Sequence, residues 1–300
     1  MKVFVTGASG HIGSAVVPEL LGHGHTVLGL ARSDASAAQL EAAGAEVVRG
    51  DLDDLDVLRA AAAESDGVIH LAYRHDLMAA GDMDRSVAVD RAAIDAIGDA
   101  LADSGKPLVG TTGTLMLAML GITGRAGTED DHGDGGGRVA NENAVIALAD
   151  RGVRSSVVRL APTVHSEADR HGFVPTLIQI ARETGASGYV GDGANHWPAG
   201  HTLDSARLFR LALESAPAGQ RLHANDEEGI PFRDIAAAIG EQLDVPVESR
   251  EPEHFRFLGR LVSLDNRASS AKTRALLGWE PTHPGLLEDL RAGFYFDTER

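Results

Sequence analysis

Met1-Lys-Val-Phe-Val-Thr6-Gly7-Ala-Ser-Gly10-His-Ile-Gly13 opens as a short apolar, β-rich run and passes directly into Gly7-x-x-Gly10-x-x-Gly13. The residues that follow, Val16, Val17, Leu20 and Leu21, continue from Ile12 at helical spacing. Strand, glycine turn and helix in that order describe a loop that cradles a dinucleotide pyrophosphate. Gly7 allows the tight turn, Gly10 lets the backbone approach the phosphates, and Gly13 lets helix and strand pack closely. A helix beginning near Gly10 presents free N–H groups and its positive dipole end to the anion. Ser9, His11 and Ile12 lie in the same turn and are expected to touch the cofactor. Three spaced glycines alone are a weak signal; the flanking strand and amphipathic helix make it specific.

The 300 residues, 43% of them hydrophobic, suffice for one large core or two modest ones, so a nucleotide-binding half with a smaller second lobe is the natural expectation. Against 44 acidic residues stand 27 basic ones, and a net charge of -17 argues against nucleic acid or an anionic membrane as partner. A phosphate must then be held by backbone and a few placed cations. The sequence contains no cysteine, which removes disulfides, thiolate nucleophiles and Cys-based metal centres. The chain starts in a structural strand instead of a signal-like segment and has no apolar run of about 18 residues, so a cytoplasmic protein is expected.

Strand-like and helix-like segments alternate through the first half. Strands are expected near residues 2–6, 26–31, 45–49, 67–71, 107–110 and 154–160, with helices near 35–43, 55–64 and 84–104. This alternation predicts an α/β, Rossmann-type doubly wound parallel sheet. Residues 113–137 start apolar and end in acids and glycines, which predicts a mobile, lid-like surface loop. After Leu160 the pattern loosens, with helices expected near 205–214 and 231–243. The organisation read from this is a Rossmann domain over 1–163, with 200–216 returning to it, and a smaller C-terminal α+β substrate lobe over 164–199 and 217–300. Alanine-rich faces over 92–101 and 140–149 leave room for a homodimer, and serve equally to cover the sheet.

The end of the second strand selects the cofactor. An acidic residue there accepts hydrogen bonds from an adenosine ribose and repels a 2′-phosphate; this chain has Ala31-Arg32-Ser33 instead. Arg32 and Ser33 suit a phosphate, so NADP(H) is expected over NAD(H), although Asp34 follows closely. In Gly50-Asp51-Leu52, Asp51 is expected at the adenine amino group or as the cap of the next helix, and Leu52 against the ring.

Taken in order, Thr6-Gly-x-x-Gly-x-x-Gly13, Gly50-Asp-Leu52, Val68-Ile-His-Leu-Ala72, Val157-Val-Arg-Leu-Ala-Pro162, Gly191-Asp-Gly193, His201-x-x-Asp204 and Leu277-Gly-Trp-x-Pro281 resemble the extended short-chain dehydrogenase/reductases, the family of nucleotide-sugar epimerases and dehydratases. The resemblance implies a nicotinamide cofactor, with Leu71, Ala72, Thr111 and Pro162 beside it, and Thr112 at the family's active-site Ser/Thr position. One feature of the family is missing. Its Tyr-x-x-x-Lys pair, with i, i+4 spacing on one helix face, falls on Asp134 and Arg138, and no Tyr or Lys occurs between Gly113 and Ala149. At an ordinary pKa near 3.9, Asp134 has no proton to give at pH 7, whereas Arg138 still offers charge and several donors to a ribose.

A different acid is therefore needed. Tyr73 and His75 follow the fourth strand at the carboxyl edge of the sheet, where ligands bind in such folds, and are the candidates. Thirteen histidines invite a metal interpretation, but none has ligand spacing on a predicted helix, so no metal is expected. The function expected is NADPH-dependent reduction of a small carbonyl- or imine-type substrate with a nonstandard proton donor. A non-catalytic NADP(H) sensor and an epimerase or dehydratase are the alternatives.

Overall fold

Strands apolar on both sides have to be covered on both sides, and the protein does this. In β1 (Lys2–Thr6), Val3 and Val5 join one hydrophobic cluster and Phe4 the other, all fully buried. The computed structural model describes residues 1–297. After β1 come α1 (Gly13–Gly22), β2 (Thr26–Ala31), α2 (Asp34–Ala42), β3 (Glu46–Arg49), α3 (Leu55–Glu64), β4 (Gly67–His70), α4 (His75–Ala79), α5 (Met83–Leu101), β5 (Pro107–Gly113), α6 (Leu115–Met119), α7 (Arg138–Ala147) and β6 (Arg154–Leu160). The lobe begins with β7 (Thr163–His165), α8 (Phe173–Thr184), β8 (Ser187–Tyr189) and β9 (His196–His201). The chain continues through α9 (Thr202–Ser215), β10 (Gln220–Ala224), β11 (Glu227–Pro231), α10 (Phe232–Leu243), β12 (Val247–Ser249), α11 (Gly259–Val262), α12 (Ala271–Leu277) and α13 (Leu286–Arg291).

The main sheet has seven strands in the order β10-β6-β5-β4-β1-β2-β3, every pair parallel. Strand order reverses between β1 and β4, and a crevice outside their carboxyl ends is where such sheets bind ligands. On one face, Val16, Val17 and Leu20 of α1 pack with Phe209 and Leu213 of α9. Burying side chains of this kind is worth about 1.5–3 kcal/mol each, which explains why α9 returns from the lobe to the sheet. On the other face lie Leu58, Ile94, Ile97 and Val145 of α3, α5 and α7. The alanine-rich face of α5 is part of that layer, with Ala93 and Ala96 buried.

Two expectations need correction. Residues 217–224 do not belong to the lobe: Gln220–Ala224 pairs in parallel with Ser156–Leu160 and forms the edge strand of the main sheet. The segment 113–137 is not a free loop. It contains α6, bridges Ala268 through Gly127, and buries Glu129, which accepts from the Thr273 amide and hydroxyl at 2.7 and 2.6 Å. Asp131 accepts two bonds from Arg125 at 2.7 Å, and its carbonyl accepts from Arg159 at 2.8 Å. Of the acids that make the segment look unstructured, Glu129 and Asp130 find donors far away in the sequence, at Thr273 and Lys272, and the Asp131 carboxylate finds Arg125 within the segment itself.

The lobe is organised around Trp197, Phe232, Ile235, Phe255, Leu286 and Leu290, all nearly or fully buried. A three-stranded sheet, β11-β9-β7, and a two-stranded pair, β12-β8, frame it.

Candidate active site

The glycine loop lies at the β1/β4 reversal, and its glycines are held there by contact. Gly7 has φ +66°, and a Cβ on it would fall 2.7 Å from the Ala72 amide nitrogen. On Gly13 a Cβ would fall 2.2 Å from the Gly7 carbonyl oxygen. Gly10 differs: it is exposed, and its Cβ would meet only the Gly7 carbonyl, at 3.2 Å. Helix α1 carries no side-chain cap and no acid in its first turn, so its positive end is left for a ligand. The Thr6 hydroxyl accepts from the Ala72 amide at 3.2 Å and bonds the His70 ring at 2.8 Å, which locks the ends of β1 and β4 together. His11 reaches out of the loop to the Thr202 hydroxyl, Nε2 to Oγ1 3.1 Å, and burial holds its imidazole below the ordinary pKa despite Asp169. Ile12 is partly buried against the α1–α9 core, and the Ser9 carbonyl accepts from Gln39 at 3.4 Å. These residues fit a dinucleotide: the cradle is filled by backbone where side chains would intrude and is open at Gly10, where a phosphate has to approach.

At the carboxyl end of β2, where the sequence leads one to expect the adenosine, Arg32 is exposed. Ser33 caps α2, accepting from the Ser36 amide at 3.1 Å in a reciprocal capping box. Arg49, at the end of β3, donates to the Ser33 carbonyl at 2.5 Å and to the Asp34 carboxylate at 2.7 Å. The Arg49 guanidinium therefore lies against Ser33, next in sequence to exposed Arg32, and pairs the charge of Asp34. Asp51 is not a helix cap. Its carboxylate accepts from the adjacent Leu52 amide at 2.7 Å, while Asp54, at the start of α3, accepts from the Asp51 amide at 2.8 Å. The Leu52 side chain is buried in the same cluster as Leu58, so it is committed to the core.

Beyond the carboxyl ends of β4 and β5, four of the residues singled out from the sequence meet. The Arg138 guanidinium lies 4.1 Å over the Tyr73 ring and donates to the Thr111 carbonyl at 3.2 Å. The Thr111 hydroxyl in turn donates to the His70 carbonyl at 2.9 Å. His75 packs edge-on to Tyr73 with ring centroids 5.3 Å apart; surrounding protein and then the Arg138 charge lower its pKa, leaving it a neutral imidazole at pH 7. Leu71 and Ala72 line the crevice beside Gly7, and Pro162 is half-buried between β6 and β7. Asp134 stands apart: it is exposed and precedes α7, whose first residue is Arg138.

Thr112 turns the other way. It is buried and donates to Glu142 Oε2 at 2.7 Å, so its proton is committed inside the layer between sheet and α7. Glu142 also receives Arg159 through Nε at 3.0 Å and Nη2 at 2.5 Å, and Arg221 at 2.7 Å. Burial works to raise the Glu142 pKa, but the Arg159 hydrogen bonds and charge outweigh it and hold the carboxyl below its ordinary value. This network ties α7, β6 and β10 together. Spacing along the sequence gave no hint of it, because its members lie 17 to 79 positions from Glu142. The same holds for a group of histidines and carboxylates where the lobe meets the sheet, among them His165, His201, Asp226 and Asp289.

Residues 3–99 match the model of the NAD-dependent epimerase/dehydratase family. The chain is 46% identical to an uncharacterized protein of Saccharomyces cerevisiae, over 98% of this chain and 99% of that one. It is 28% identical to the 2-alkyl-3-oxoalkanoate reductase of Stenotrophomonas maltophilia, covering 80% of this chain and 76% of the reductase. Among solved structures it resembles a double mutant of the dTDP-glucose 4,6-dehydratase of Streptomyces venezuelae with NAD bound, with a TM-score of 0.77 at 20% identity over 100% of this chain and 98% of that one. Glycine cradle, strand order and near full-length likeness agree, and the chain belongs to the NAD-dependent epimerase/dehydratase family, within the extended short-chain dehydrogenase/reductases.

Proposed function

We propose that the protein is an NADPH-dependent reductase of a small carbonyl- or imine-type organic substrate. The observation that carries this reading is the pairing of the open Gly10 cradle with Arg138 and Tyr73 at the neighbouring strand ends. The bound cofactor would supply the hydride; the chain's part is to orient, polarise and protonate. Arg138, fixed by Thr111 and Tyr73, is suited to hold a ribose hydroxyl in place of the family lysine. The Tyr73 phenol is the group with a proton to pass to the reduced oxygen or nitrogen, and neutral His75 can relay one from water, accepting at one ring nitrogen as it donates from the other. Thr112 is available only as a weak acceptor, so it takes no part in proton delivery. Arg32 and Arg49 around Ser33 support a 2′-phosphate, and hence NADPH over NADH. The names of the distant reductase relatives point to ketone reduction.

The test is NADPH oxidation over a panel of small ketones, aldehydes and imines. Turnover that falls about tenfold or more in Arg138→Ala and in the Tyr73→Phe/His75→Gln double variant supports the assignment. A wild-type protein that binds NADPH and oxidises it with none of these substrates contradicts it. A second reading, a non-catalytic NADP(H) sensor, draws on Asp134, which stands exposed outside α7 where the family has its tyrosine. Any steady-state turnover counts against that reading.

A further inference from the structure

Where the lobe joins the main sheet, His165 at the end of β7 is fully buried, with Nδ1 2.6 Å from Asp289 Oδ2 of α13. A carboxylate at that distance accepts the Nδ1 hydrogen, so a neutral His165 presents the lone pair of Nε2 on its other side. That Nε2 is buried and has no hydrogen-bond partner, and neither has the buried Oδ1 of Asp226. The ligand atoms of His165, Asp226 and Glu227 lie within 4.8 Å of one another. Glu227 is held in place by the Leu286 amide, which donates to Oε2 at 2.7 Å, and by Gly285, where a Cβ would come within 3.0 Å of the carboxylate. With His165 neutral and both carboxylates ionised, three acceptors converge with no donor among them, an arrangement that a cation satisfies.

We propose that His165, Asp226 and Glu227 bind a divalent transition-metal ion of the zinc or manganese type, with Asp289 orienting His165 from behind. One imidazole and two carboxylates suit such an ion, and a carboxylate behind a ligating histidine is the usual arrangement around one. Metal–ligand distances of about 2.1 Å put ligand atoms at most about 4.2 Å apart, so the set has to contract by less than about 1 Å. The ion would staple β7, the β10–β11 turn and, through Asp289, α13. The His165 carbonyl accepts from Thr202, which also contacts His11 of the glycine loop, so the staple sits one residue from the cofactor cradle. The second histidine cluster nearby, His201, Asp204 and His283, differs. The Asp204 carboxylate already accepts from the Thr282 and His283 amides, and His201 Nδ1 from the Leu203 amide.

The proposal does not depend on the proposed reductase activity. Its test is calorimetric titration of the chelator-stripped full chain with ZnCl2 and, separately, MnCl2, alongside thermal melts with and without the ion. The variants are Asp226→Asn, Glu227→Gln and, as a control on the second cluster, His283→Ala. The expected result is one equivalent bound with a rise in Tm, affinity weakened about tenfold or more in Asp226→Asn and Glu227→Gln, and no change in His283→Ala. Neither ion binding at one equivalent, or binding weakened by His283→Ala but by neither carboxylate variant, would overturn it.

Discussion

Among the three glycines of the first loop, the contacts of a would-be Cβ separate folding from binding. Gly13 has no room: a methyl group there falls 2.2 Å from a backbone oxygen and 2.5 Å from another, so Gly13→Ala is expected to lower the stability of the ligand-free protein by about 2 kcal/mol or more, measured by urea unfolding. Gly10 is exposed, with one contact at 3.2 Å. Gly10→Ala is therefore expected to leave the ligand-free Tm nearly unchanged while weakening dinucleotide binding about tenfold or more, because its methyl group occupies the approach of the phosphate. A Gly10→Ala protein that binds the dinucleotide as well as wild type would contradict that placement. The glycine triplet could be recognised from the sequence because its pattern of turn, open approach and helix packing is complete within seven residues, even though Gly7 is also held against Ala72. Thr112 could not, since which way its hydroxyl points depends on Glu142, thirty positions away.

At the level of elements, α7 is the helix on which the resemblance expects a Tyr-x-x-x-Lys pair, and its ten residues hold neither tyrosine nor lysine. What fixes it is the ion network on its inner face. Glu142 and Arg159 are each about 1% exposed, and Arg221 adds a third hydrogen-bonding group. Removing a buried charge leaves its partner unpaired, so Glu142→Ala is expected to destabilise the protein by about 3–5 kcal/mol in urea unfolding. If the loss is below about 1 kcal/mol, the network is not what seats α7. The strands were largely legible, because β1 and β2 are nearly continuous apolar runs and β6 carries Val157 and Val158 at its centre. Residues 113–137 were not, because Glu129 and Asp131 are ordered by Thr273 and Arg159, and no window of sequence contains both partners. For the same reason β10 was assigned to the lobe: its partner strand lies more than sixty residues earlier.

Across the whole molecule, the joint between sheet and lobe is the place where charge burial costs stability. The Asp226 carboxyl is raised from 3.8 to about 6 by burial and then by Glu227. Between those values the folded protein binds the proton more tightly than the unfolded chain, so this residue's contribution to stability falls as pH rises and is at its worst above about 6. In chelator-containing buffer, Asp226→Asn is accordingly expected to stabilise the protein by about 2 kcal/mol at pH 7.5 and by much less at pH 4.5, read from urea unfolding at both pH values. An equal effect at the two pH values would remove Asp226 as the cause. Cofactor choice turns on whether the Gly7–Gly13 cradle, with Arg32 and Arg49, binds a 2′-phosphorylated dinucleotide. Calorimetric titration of the wild type, Arg32→Ala and Gly10→Ala with NADPH and NADH answers it. The predicted result is tighter binding of NADPH than NADH by wild type, loss of that preference in Arg32→Ala, and loss of both ligands in Gly10→Ala; no binding of either dinucleotide to the wild type would contradict the account.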